Sequence, residues 1–254
     1  MQQQVQEQAN ELVERLKSVF GEDRLVSVCV YGVALFGESL PVRAKRQSGV
    51  NTLVILKSLE TADLEKATDI GRWWDKKAHA LPLFLSEEEW RNSADIFALE
   101  YADIRDNHHV AYGEDLYNNV EIHTEPLRLV TELELHRKLL FLRQRLLLFR
   151  DEPGMLIEFM HGSIHDLATL FRGVLRLSLA REEVPALPPD VFRQMEKQVE
   201  RFDAASFLKI LASARGVFRA RPAARRGRRP GSRRARTPGR AARTAPPPAA
   251  RSHP

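Results

Sequence analysis

The chain has 254 residues, 43% of them hydrophobic and 29% charged, enough for one large domain or two small ones with ordinary cores. Its formal net charge of +5 is unevenly placed: from Arg219 onward there are 12 Arg and no acid or Lys, which leaves 27 of the 39 basic residues against all 34 acidic ones in residues 1–218, a net charge of −7 there. The single cysteine, Cys29, excludes an internal disulfide framework and points to a reducing, cytoplasmic setting. No membrane span is expected, because the richest apolar run, Leu135–Phe149, is broken by His136, Arg137, Lys138, Arg143 and Arg145. The opening MQQQVQEQANELVERL has no apolar core of the signal-peptide kind.

Residues 2–20 predict a helix, with Val5, Ala9, Leu12, Leu16 and Phe20 recurring at steps of three or four and Gly21 as a stop. Two short runs rich in Val, Leu and Ile, Leu25–Tyr31 and Val50–Leu56, read as strands. Cys29 falls inside the first, as an inert buried thiol. Gly32 and Gly37 follow that strand and allow a sharp turn and close approach of a ligand to the backbone. Positions 49 and 51, at the head of the second strand, share one face. Together these features make a candidate nucleotide site.

This stretch resembles the nucleotidyltransferase superfamily of polymerase-beta type, particularly its small bacterial members. Their signature is a hydrophobic strand, Gly-Ser or Gly-Gly, a connection of about a dozen residues, then paired acids two apart on the next strand, and Ser48-Gly49-Val50-Asn51-Thr52-Leu53-Val54-Ile55-Leu56 is similar to it. In such proteins two carboxylates on one strand face hold two divalent metals that clamp the attacking hydroxyl and the nucleoside triphosphate. The resemblance implies nucleotide contacts at Gly32, Val33, Gly37 and Ser48, metal contact at position 51, and Mg²⁺ as cofactor of an active member. This chain departs from the pattern. Val33 stands in place of Ser or Gly, Gly49 in place of the first acid, and Asn51 in place of the second. Gly offers no side-chain ligand and Asn only a neutral carbonyl. The expectation is therefore a nucleotidyltransferase-like protein with weak or absent activity.

Farther along, 61–79 predicts a helix capped by Ser58 or Thr61, with Trp73 and Trp74 packing it on the sheet. Residues 81–85 read as a short strand, and Ser86-Glu87-Glu88-Glu89 as a capped helix start. DIFALEYADIR, residues 95–105, reads as a third strand, one face of which would carry Ile96, Ala98, Glu100, Ala102 and Ile104. The resemblance implies a third carboxylate on a neighbouring strand, with Glu100 as first candidate and Asp103 as second; a carboxylate paired with a nearby Arg or Lys fits equally well. His108-His109 falls in the following loop, and Val110–Gly113 is similar to the family's closing "hydrophobic-Tyr-Gly" segment.

From Thr124 the period becomes helical. Leu135, Leu139, Leu142, Leu146 and Phe149 form one seam, and Leu156, Met160, Ser163, Leu167, Leu170, Val174 and Leu177 a second after the break at Asp151–Gly154. Shorter helices follow at 189–202 and 204–214. Glu158, His161 and His165 share a helix side, and a polar bundle flank is the preferred reading over a metal site; His161, His165, Arg172 and Arg176 are an alternative anion-binding set. The Arg-, Ala- and Pro-rich end has almost no apolar bulk and predicts disorder, fitting either nucleic-acid binding through phosphates or a frame-shifted replacement of the C-terminus. The fold class expected is α/β or α+β: a small mixed sheet with flanking helices in 1–120, an α-helical bundle in 121–215, and a disordered tail in 216–254. The partners expected are a nucleoside triphosphate, a protein partner or second copy through the bundle, nucleic acid through the tail alone, and no membrane.

Overall fold

The computed structural model describes residues 3–32, 35, 50–77 and 79–216, all within one compact unit, residues 1–220. The expectations at Val33, Gly37, Ser48 and Gly49, and those on the Arg-rich end, lie outside the described residues.

The order is α1 (Gln3–Phe20), β1 (Leu25–Tyr31), β2 (Asn51–Leu56), α2 (Thr61–Lys66), α3 (Thr68–Lys76), β3 (Leu83–Ser86), α4 (Glu87–Asn92), α5 (Ala98–Asp106), β4 (His108–Gly113), α6 (Thr124–Phe149), α7 (Pro153–Arg176), a 3₁₀ turn (Arg181–Glu183), α8 (Pro188–Gln198) and α9 (Ala204–Gly216). The strands form one mixed sheet in the order β3-β2-β1-β4. β1 runs antiparallel to β2 and β4, and β2 parallel to β3. A mixed sheet with flanking helices followed by a helical bundle is the architecture expected from the sequence.

Alternation along β1 and β2 divides the core into two layers. Val28, Val30, Val54 and Leu56 face α1 and α3, where Leu12, Leu16, Phe20, Ile70 and Trp74 close over them. Cys29, Leu53 and Ile55 face the other way, toward Trp90 of α4, Tyr101 and Ile104 of α5, and Tyr117. α1 forms because its apolar stripe has a sheet to cover, and it stops at Gly21, whose φ of +75° is open to glycine. The capping box at Ser86 is formed: its hydroxyl accepts from the Glu89 N–H, and the Glu89 carboxylate accepts from the Ser86 N–H. The 61–79 segment is two helices meeting at Ala67, and its N-cap is Glu60 in place of Ser58 or Thr61. Trp74 is buried in the first layer, and Trp73 lies between the cations of Arg15 and Lys77, 4.1 and 4.4 Å from its ring.

The largest departure from the sequence expectation is at residues 95–105. Residues 95–105 do not form a strand; Ala98–Asp106 is helix α5. Its Tyr101 and Ile104 pack on the sheet while Ala98, Leu99 and Ala102 pack on Leu127 of α6 and Leu170 of α7. A helix buried on two sides loses the single stripe that marks its period. His108 and His109 likewise begin β4 and do not lie in a loop. The bundle helices appear close to their expected bounds. α6 and α7 pack as a hairpin, and α8 and α9 close its far end around Ile164, Ala168, Phe192 and Leu211.

Candidate functional site

The site is built where β1 ends. Tyr31 is opposite Asn51 on one side and His108 on the other, so three strand ends meet at one sheet margin. Gly32 follows at φ +84°, a left-handed turn. Its N–H donates to the Asn107 carbonyl at 3.1 Å, and its own carbonyl accepts from the Leu35 N–H at 3.2 Å. The turn is thereby tied to the C-terminal end of α5. A Cβ on Gly32 would stand 3.1 Å from the side-chain amide of Asn51, so that amide packs against the turn. By alternation Asn51 shares the face of Leu53 and Ile55, the face that α5 covers.

α5 carries both acids singled out from the sequence. Glu100 is exposed, but its pKa is raised, first by partial loss of water around it and then by the Glu134 and Asp103 charges. Asp103 is committed elsewhere. Arg172 of α7 reaches it through Nε at 3.0 Å and Nη2 at 2.6 Å, and Arg176 approaches its Oδ1 at 2.7 Å. Burial alone would raise the Asp103 carboxyl; the two guanidinium charges outweigh it and hold the pKa below the usual carboxylate range. Asp106 extends the cluster, contacting Arg176 at 2.8 Å, Arg181 at 2.9 Å and Arg105 at 3.0 Å. This charge cluster staples α5 to α7. Arg172 and Arg176, two of the four residues of the anion-binding alternative with His161 and His165, hold these carboxylates.

Tyr31 stands between the turn and α5. Burial pushes its hydroxyl up to about 12, with the charges of Cys29, Glu100 and Asp103 adding to the rise. Asn107 and Tyr31 were not legible as site residues. Asn107 acts through its backbone carbonyl, and Tyr31 reads as an ordinary strand residue. Cys29 is fully buried, and its thiol is pushed up to about 12 by burial. The Glu158, His161 and His165 side forms no metal cluster: among the described residues no group of three or more His, Cys, Asp and Glu is placed to hold a metal ion, and the imidazole of His161 is 2.8 Å from the Ser213 hydroxyl. Among those residues, too, no helix is long and apolar enough to cross a membrane.

Among the described residues, the candidate ligands do not fit a Mg²⁺ pair. Asn51 brings a neutral amide already packed on Gly32, both oxygens of Asp103 are held by arginines, and position 49 is a glycine without a donor side chain. A hard dication with a triphosphate needs anionic oxygen ligands.

The sequence matches no protein-family model and no curated protein. Among solved structures, the chain is similar to spectinomycin adenyltransferase AAD(9) from Enterococcus faecialis, determined with ATP and spectinomycin, at 9% identity and a TM-score of 0.45 over 81% of this chain and 88% of that one.

Proposed function

We propose that this chain is a nucleotidyltransferase-like protein that binds a nucleotide at the Gly32 turn and has little or no transfer activity. The observation that carries the reading is the packing of the Asn51 side-chain amide against the Gly32 turn, at the sheet margin where Asn51 pairs with Tyr31. In support, Gly32 takes a left-handed turn at the place where the resemblance implies a phosphate-holding turn, and Asn51 carries an amide where it implies a metal-binding acid. Glu100 is the acid left for residual chemistry, with its pKa raised by loss of water around it and by the Glu134 and Asp103 charges. Asp103 serves the α5–α7 staple.

The test is a transfer assay on the full chain with α-labelled ATP, GTP, CTP and UTP, with Mg²⁺ and with Mn²⁺. The expected result is no label on protein, RNA or small hydroxyl acceptors above background. Sustained turnover with any of the four nucleotides contradicts it, and weak turnover that survives in a Glu100→Gln variant removes Glu100 from the reading.

A second reading, a non-catalytic assembly module, is favoured by one observation: the exposed leucines of α6.

A further inference from the structure

α6 has two unlike sides. Toward the rest of the fold it places buried Leu127 and Thr131, Lys138 bound to Asp166 at 2.7 Å, and Phe149 against Phe159 of α7. On the opposite side Leu129, Leu133, Leu140 and Leu147 are 53, 50, 56 and 82% exposed. Their spacings of four, seven and seven residues place them within a stripe about 40° wide on a helix of 3.6 residues per turn, as in a coiled-coil seam. Leu139, Leu146 and Leu148 widen the stripe and are exposed as well. Among the described residues, α5 and α7 cover the inner side of α6, and the leucine stripe on the opposite side is left exposed.

The Arg-rich end of the chain offers no cover for that side. From Arg219 onward there is no Leu, Ile, Val, Met or aromatic residue, so that segment has nothing to fill a leucine seam. A helix lying on a membrane gathers its apolar residues on one face and its cations on the other; α6 instead carries His136 and Arg143 within the outward stripe. The stripe is self-complementary, since Leu133 and Leu147 each lie seven residues from Leu140. The charges point the same way. Residues 124–136 hold Glu125, Glu132 and Glu134 against one cation, Arg128, while residues 137–150 hold Arg137, Lys138, Arg143, Arg145 and Arg150 and no acid. Antiparallel pairing about Leu140 sets Glu132 and Glu134 beside Arg145 of the partner subunit, while Arg137 lies opposite Arg143 of the partner subunit; parallel pairing sets every charge beside its own copy.

We infer that two copies of this chain associate through the outward leucine stripe of α6, antiparallel about a two-fold axis near Leu140, with Leu133 opposite Leu147 of the partner subunit. This surface is separate from the Gly32–Asn51 margin, and the inference goes beyond the reading of that site.

The experiment is sedimentation equilibrium of the full chain at micromolar concentration, with a Leu133→Glu, Leu140→Glu, Leu147→Glu variant beside it. The expected result is a dimer for the natural chain and a monomer for the variant, with an unchanged circular-dichroism spectrum because the three positions are exposed. Pairing direction is read from oxidative cross-linking. Leu133→Cys and Leu147→Cys chains, mixed, should cross-link to each other, and Leu133→Cys alone should not; buried Cys29 stays out of the reaction. A natural chain that is monomeric, a variant that stays dimeric, self-cross-linking of Leu133→Cys, or leucine-dependent binding of monomers to anionic lipid vesicles would each overturn the proposal.

Discussion

The side-chain amide of Asn51 packs against Gly32, 3.1 Å from where a Cβ on that glycine would stand. Gly32 also sits at φ +84°, where an L side chain is strained. A Gly32→Ala chain is therefore expected to lose about 1–2 kcal/mol of stability from backbone strain and crowding. Adding Asn51→Ala removes the crowding but not the strain, so the double variant should recover part of the loss. Denaturant melts of the four chains in this cycle check the coupling.

Gly113 is the stricter glycine. At φ +78° its Cβ would come within 2.0 Å of the Val26 carbonyl oxygen, a backbone atom that cannot step aside. Gly173 also meets close neighbours, but these are the ends of Leu99 and Thr131 side chains at 2.6 and 2.7 Å. Gly113→Ala is expected to cost on the order of 4 kcal/mol and to leave little soluble protein, with Gly173→Ala clearly milder. Soluble yield and thermal melts of the two single variants give the ranking.

Asp103→Asn leaves Arg172, itself 4% exposed, facing a neutral partner. Breaking a buried pair from one side costs about 3 kcal/mol or more. Restoring neutrality with Asp103→Asn and Arg172→Met together should cost less than Asp103→Asn alone, which urea unfolding of the single and double variants measures.

The acid limb of stability follows from two carboxyls. The Arg24 guanidinium, at 2.9 and 2.8 Å, holds Asp63 well below the usual carboxylate range, and Arg172 and Arg176 hold Asp103 below it against burial. Both folded-state pKa values are depressed, so their stabilisation is complete above the unfolded value near ~3.9 and is lost as pH falls below it. Melting temperature should drop steeply below about pH 4, and more gently in an Asp63→Asn chain. An equal slope in both would refute the assignment to Asp63.

Much of the architecture was legible because most elements bury one side. α1 and the two strands flanking the turn show clean periods, since each meets a single apolar layer. α5 reads as a strand in the sequence because Ala98, Leu99, Ala102 and Tyr101, Ile104 serve two layers at once, so no single helical stripe stands out. Asp103 was named as a site acid without its partners because Arg172 and Arg176 lie about seventy positions away in the chain. The Gly32 turn was legible from glycine alone; its tie to the Asn107 carbonyl was not, because backbone acceptors leave no mark in a sequence.

Cys29 supplies an independent report on the sheet. Its thiol is fully buried and pushed up to about 12, so Ellman's reagent at pH 8 should label the folded chain only as fast as it opens. Labelling should accelerate many-fold in guanidinium, tracking the loss of tertiary structure. Rapid labelling of the native chain would place the thiol at the surface instead.

The central claim is that the Gly32 turn holds a nucleotide without a metal pair. Isothermal titration of the full chain with ATP tests it most directly, run with Mg²⁺ and with EDTA, and repeated on Gly32→Val with melting curves to establish folding. The account predicts binding of equal affinity in Mg²⁺ and in EDTA, lost in folded Gly32→Val. Binding that requires Mg²⁺, or that survives unchanged in folded Gly32→Val, would contradict it.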